Sequence, residues 1–233
     1  MTSWKNSFRL GALALALAAT SAHADIIFTL GNVGSLDDEN ILFQEPGTID
    51  GPALTVTGMT ADSDLTVFFT GEENLTAQQA SGQAVLQAQD GLFTTVTFGV
   101  QNGTAGSFIF NPNIFNTGGG QPETGFITVS VDQVVGPDVI FQYAASSAGN
   151  NFLTVEAING QRIVDITITS DTPLSFVDVR QFRVGTATEC PPNSTDPLCT
   201  GIPGGQIPEP GVLSLMGLAL AAFGQVGMRR RRR

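Results

Sequence analysis

Between Asp25 and Ile207 the chain has no histidine and no lysine; its only histidine is His23 and its only lysine Lys5. Without histidine there is no Ser-His-Asp or Cys-His nucleophile and no histidine-bound zinc. Without lysine there is no Schiff-base chemistry. No G-x-S-x-G elbow, Walker loop or dinucleotide fingerprint occurs. Aromatic platforms are scarce too, since Trp4 is the only tryptophan and Tyr143 the only tyrosine. Positive charge is the scarcest resource of this region. Arg162, Arg180 and Arg183 stand against twenty acidic residues, a net charge of −17. Such a surface repels nucleic acid and anionic lipid headgroups, and neither is an expected partner.

The missing basic residues are concentrated at the two ends. Lys5 and Arg9 precede an apolar run from Leu10 to Ala19, followed by Ala22-His23-Ala24. A short basic region, a short apolar region and small residues at a cleavage site are the parts of a secretory signal peptide. Residues 1–24 are therefore expected to be removed by signal peptidase, leaving a mature chain that starts at Asp25. At the other end, Pro208-Glu209-Pro210 leads into eighteen apolar residues, Gly211 to Met228, and then Arg229, Arg230, Arg231, Arg232 and Arg233. Eighteen residues are near the lower limit for spanning about 30 Å of hydrocarbon as a helix. Arginines beside such a transmembrane segment resist translocation and mark its cytoplasmic end. Hydropathy alone does not separate a cleaved sorting tail from a retained anchor.

This order of tripeptide, apolar span and arginine cluster resembles the PEP-CTERM sorting tail of exported proteins of Gram-negative bacteria. The resemblance covers residues 208–233. It implies an exosortase-type membrane protease as partner, an inner-membrane intermediate, and delivery to the cell envelope surface or an extracellular matrix.

The body of the chain reads as strands. Leu54–Gly58, Leu65–Phe69, Phe93–Phe98 and Phe126–Val131 are rich in β-branched and aromatic residues. Ile163 to Thr169 is expected to put Val164, Ile166 and Ile168 on one face, and Phe176 to Val184 to project Asp178 and Arg180 together as a structural pair. Asp50-Gly51, Asp90-Gly91, Asn102-Gly103 and Asn159-Gly160 supply turns. Asn74 to Ala80 is the one weak helical candidate, and Gly118 to Pro122 reads as a long loop. The expected fold is an all-β, antiparallel, jelly-roll-like β-sandwich over residues 25–185, built from about ten to twelve strands. Thr186 to Ile207, with Pro191, Pro192, Pro197 and Pro203, is expected to be a linker without regular structure. Asn40-Ile-Leu-Phe43, Gly51 to Gly58 and Val179 to Gly185 are together similar to the sandwich domains often attached to PEP-CTERM tails, which bring no catalytic residues with them.

Three kinds of site remain. Cys190 and Cys199 are an even count in an oxidising compartment and are expected to form a disulfide. Asp37, Asp38, Glu39 and Asn40 gather four oxygen-bearing side chains before a strand, a set suited to calcium. Asp62-Ser63-Asp64 is a weaker version of the same pattern, and the alternative for both is a solvated turn. Glu72, Glu73, Glu123 and Glu156 are the carboxylates from which a glycoside hydrolase would have to be built. The leading expectation is a non-catalytic protein of the cell surface or of an extracellular polysaccharide matrix. A calcium-supported carbohydrate-binding module is second, and a carboxylate-based glycosidase a remote third.

Overall fold

In a computed structural model of the chain, the described residues are 25–199 apart from 35–36, 81–82, 116–122, 172–173, 192–193 and 197–198. The signal peptide, the Gly118–Pro122 loop and the whole tail from Pro208 to Arg233 thus fall outside or within the gaps of the described residues.

Fourteen strands and no helix occur among the described residues. In chain order they are β1 (Asp25–Leu30), β2 (Asp38–Leu42), β3 (Ala53–Thr60), β4 (Thr66–Ala80), β5 (Gln83–Ala88), β6 (Thr95–Val100) and β7 (Gly103–Thr104). There follow β8 (Ser107–Ile114), β9 (Thr124–Gln133), β10 (Val139–Ser146), β11 (Leu153–Ile158), β12 (Ile163–Ser170), β13 (Phe176–Gly185) and β14 (Thr188–Glu189). The strands named from the sequence are present as parts of β3, β4, β6, β9, β12 and β13. All pairings are antiparallel.

Twelve strands form one hydrogen-bonded sheet: eleven lie on the path β1-β11-β8-β13-β2-β3-β4-β6-β12-β9-β10, and β5 is bonded to both β13 and β4. That double pairing closes a ring of β13, β2, β3, β4 and β5. The pairing establishes an all-β, antiparallel, barrel-like core. β4 makes the closure possible because its two halves serve different partners. Val67–Gly71 pairs with β6, and Leu75–Ala80 pairs with β5.

The same region corrects the one helical expectation. Asn74–Ala80 has residues of good helix propensity, yet Leu75 and Ala77 are buried while Asn74 and Gln78 are exposed. This alternation has the period of a strand, and ladder bonds to β5 outweigh a local preference of a few tenths of a kcal/mol per residue. A second departure lies in β12. Register breaks between Ile163 and Asp165, so Ile163 joins Ile166 and Ile168 in the core and Val164 is only half-buried.

Phenylalanine fills the interior. Phe98 of β6 lies 6.0 Å from Phe69 of β4, 5.5 and 5.2 Å from Phe108 and Phe110 of β8, and 5.3 Å from Phe182 of β13, between ring centroids. β8 and β13 are not bonded to β6, so these contacts cross the core and hold the curled sheet against itself. At the ends of the path, Phe28 of β1 stacks on Phe141 of β10 at 4.6 Å, although the two strands share no ladder.

The expected turns form. Gly51, Gly91 and Gly160 have positive φ, as do Asn102 and Asn159. Gly103 itself is needed for a different reason, because a Cβ there would collide with the Thr188 carbonyl of β14. β14 pairs with β7, so the stretch expected to hold no regular structure begins with a strand bound to the body of the fold. The cause is a set of long-range partners that proline counting does not reveal.

Phe98 is fully buried. Phe98→Ala is expected to destabilise the domain by about 3–5 kcal/mol, read as a lower urea midpoint with an unchanged slope. A loss below about 1 kcal/mol would show that the crossing contacts do not hold the sheet closed.

Candidate functional site

The four side chains expected to serve calcium are not gathered in one place. Asp37 is exposed before β2. Successive residues of β2 then alternate between faces. The Asp38 carboxylate accepts a hydrogen bond from the Ser107 hydroxyl at 2.8 Å. Glu39 instead closes the β3–β4 turn, where its Oε2 accepts the backbone N–H groups of Asp62 and Ser63, both at 2.8 Å. Burial alone would raise the Glu39 pKa, but the Asp62 N–H, together with bonds from Ser63 and Thr60, holds it below the ordinary value. Asn40 is exposed, and its carbonyl accepts the Ala61 N–H at 3.0 Å. Among the described residues no group of three or more His, Cys, Asp or Glu is placed to hold a metal ion.

Asp178 and Arg180 do project to one side. The guanidinium donates from Nε and Nη2 to both carboxylate oxygens at 2.6 and 2.5 Å, and Asn113 donates to Asp178 as well at 3.0 Å. The buried carboxylate is thereby neutralised, and the pair is structural, as expected. Cys190 and Cys199 form a disulfide with Cα atoms 5.4 Å apart, outside the main hydrophobic core.

The C-terminal segment is fastened by Arg162. This residue follows the Asn159-Gly160 turn and enters β12 with its side chain buried. Its Nε donates to the Thr104 hydroxyl at 3.3 Å. Its Nη2 donates to the Thr104 carbonyl at 3.3 Å, to the Thr188 hydroxyl at 3.0 Å and to the Thr186 carbonyl. One guanidinium thus joins β7, β12 and β14. Burial pulls its pKa down, and the charge of Asp196 acts in the opposite sense. Beyond it, the Cys190 N–H donates to the Asn102 carbonyl at 2.6 Å. Thr186, between β13 and β14, sits at φ +49°, a strained conformation for a β-branched residue.

Beside this clamp lies a cavity of about 280 Å³. Its lining includes Asp38, Ser107, Glu156, Arg162 and Thr186, with Gly106 and Gly160 in the wall. A Cβ at Gly106 would stand 2.5 Å from the Thr186 hydroxyl and 3.1 Å from Arg162 Nη1, so only glycine leaves both groups in place. Of the four glutamates considered for hydrolysis, only Glu156 lines this cavity. Glu72 is committed elsewhere, accepting both the N–H and the hydroxyl of Thr94 at 2.6 Å. Glu73 lies by Asp90 and Glu72, and its pKa is raised by burial and then by those neighbours. Glu123, just before β9, donates its N–H to the Ser147 hydroxyl at 2.9 Å.

Sequence reasoning missed Arg162 as an organiser; its signal was rarity, one of three arginines in the region, placed just after an Asn-Gly turn. It also missed a cluster of carboxylates, because register rather than spacing creates it. Asp165 of β12 faces Asp132 of β9 directly across the ladder. The Asp165 pKa is pushed up to about 6, by burial first and then by the charges of Asp132 and Asp138. The Asp132 pKa is raised by burial and by Asp138.

Residues 206–232 match the PEP-CTERM protein-sorting motif. No curated protein and no solved structure matches the chain. The motif covers the tripeptide, the apolar run and four of the five terminal arginines, all outside the described residues; among those that are described, no helix is long and apolar enough to cross a membrane.

The folded state binds a proton at Asp165 more tightly than the unfolded chain, whose aspartates titrate near 3.9. The stability that this proton contributes is complete below that value and is lost as the pH rises through about 6. Asp165→Asn is therefore expected to melt at a higher temperature than wild type at pH 7 and to match it near pH 4. A difference that is the same at both pH values would contradict the shift.

Proposed function

We propose that this chain, a carrier of the PEP-CTERM protein-sorting motif, is a non-catalytic structural component of the cell surface or extracellular matrix. The motif at residues 206–232 is the observation that carries the reading. It implies an exported protein, processed by an exosortase, with a destination in the cell envelope or beyond it. In this reading signal peptidase removes residues 1–24, the apolar run 211–228 halts in the inner membrane, and the arginines hold its cytoplasmic end. Pro208-Glu209-Pro210 is then presented to the protease on the outer side.

The body of the protein suits such a life. A net charge of −17 between Asp25 and Ile207 favours solubility at high local concentration and compatibility with neutral polysaccharide. Read as a jelly-roll-like sandwich, the curled sheet is a compact cargo whose C-terminal segment is held by Arg162, β14 and the disulfide. The non-catalytic role is argued from the missing histidine and lysine and from glutamates that serve separate parts of the fold.

Replacing Pro208-Glu209-Pro210 with three alanines is expected to trap the protein in the membrane fraction of a host that has its exosortase. Wild type should leave that fraction in the same host. Export of the variant at the wild-type level would overturn the sorting role of the tripeptide.

A further inference from the structure

We propose that the cavity beside Arg162 is a binding site for one unit of a neutral saccharide. Its volume, about 280 Å³, lies just below the range for small-molecule sites, roughly 300–1,000 Å³. That admits a ligand of monosaccharide size and little more.

The wall decides what kind of ligand. The hydrogen bonds of the Arg162 guanidinium leave from Nε and Nη2. Arg162 lines the cavity, and its Nη1 lies on the Gly106 side, 3.1 Å from where a Cβ at that glycine would stand. It offers N–H donors that cannot be deprotonated at any physiological pH. Glu156 stands exposed on the same wall and offers a carboxylate acceptor. Thr186 and Ser107 also line the cavity, the Ser107 hydroxyl donating to Asp38 at 2.8 Å and so left as an acceptor.

A small anion drawn to Nη1 would meet Glu156 and Asp38, and would first have to cross the field of a strongly acidic domain. A small cation drawn to Glu156 would meet a buried guanidinium. A sugar hydroxyl both donates and accepts, so adjacent hydroxyls can satisfy Glu156 and Nη1 together without importing charge. Among the described residues no aromatic ring lines the cavity, so stacking contributes nothing, and one unit should bind with a Kd on the order of millimolar. Such a site would act through many copies along a polymer. The positive φ of Thr186 fits this use, since strained residues cluster where a wall must hold a set shape.

The inference rests on the cavity and not on the sorting tail, so it is tested on the full-length chain in a detergent without a sugar headgroup. Saturation-transfer NMR would be run with glucose, galactose, mannose and N-acetylglucosamine, and separately with glucuronate, glycine and calcium chloride as competitors. Transfer to at least one neutral sugar is expected, with affinity reduced at least about tenfold in Glu156→Ala and less in Glu156→Gln. Melting temperatures of both variants should equal wild type, because Glu156 is exposed. Absence of transfer from all four sugars would overturn the proposal. So would displacement of the sugar by millimolar glycine or glucuronate, or binding that Glu156→Ala leaves unchanged.

Discussion

The contacts of Phe98 with Phe108, Phe110 and Phe182 are what make a long antiparallel sheet into a closed body. Hydrogen bonds run along the path of strands and specify neighbours, but they do not determine how far the path bends. Rings that reach across from β6 to β8 and β13 do so, because aromatic side chains bring large apolar area and prefer edge-to-face contact. Phe98 meets these three rings with interplanar angles of 73–74°. Closing the sheet there brings β13 within reach of both β2 and β5. It also carries the end of β13 to the place where Arg162 waits.

Arg162 shows why an arginine rather than a lysine occupies that place. Its planar head presents donors in several directions and is more weakly hydrated than an ammonium, so burial costs less and more strands are joined. Its four acceptors belong to Thr104, Thr186 and Thr188, which come from two well-separated places in the chain. The C-terminal segment is therefore part of the fold as far as the disulfide, and the sorting motif follows it. The same side chain forms one wall of the cavity, so the anchoring of the tail-bearing segment and the candidate ligand site share a single cation.

Much of this was legible in the sequence, for physical reasons that differ between elements. Strands such as Phe126–Val131 and Phe176–Val184 declare themselves because half-buried strands must alternate or carry β-branched and aromatic residues. The Asn-Gly and Asp-Gly turns do so because few residues accept positive φ. The Asp178–Arg180 pair followed from a period of two. The sorting tail was legible because hydropathy, charge and tripeptide are all local. What was not legible depends on partners distant in sequence. Asn74–Ala80 looked helical because only β5 and β3 make it a strand. Asp37 to Asn40 looked like one cluster because adjacency in sequence is not adjacency in space when side chains alternate across a strand. The Asp132–Asp165 pair and the cavity exist only once register and closure are set.

The domain and its tail make one account: an acidic, histidine-free, lysine-free antiparallel fold, exported and then parted from its membrane segment. The most direct measurement is the intact mass of the protein recovered from outside cells that possess the exosortase. The account predicts a chain that begins at Asp25 and ends near Pro208, without the arginine cluster. Recovery of a chain that still carries Arg229 to Arg233 would contradict it, and would make the apolar run a retained anchor rather than a sorting signal.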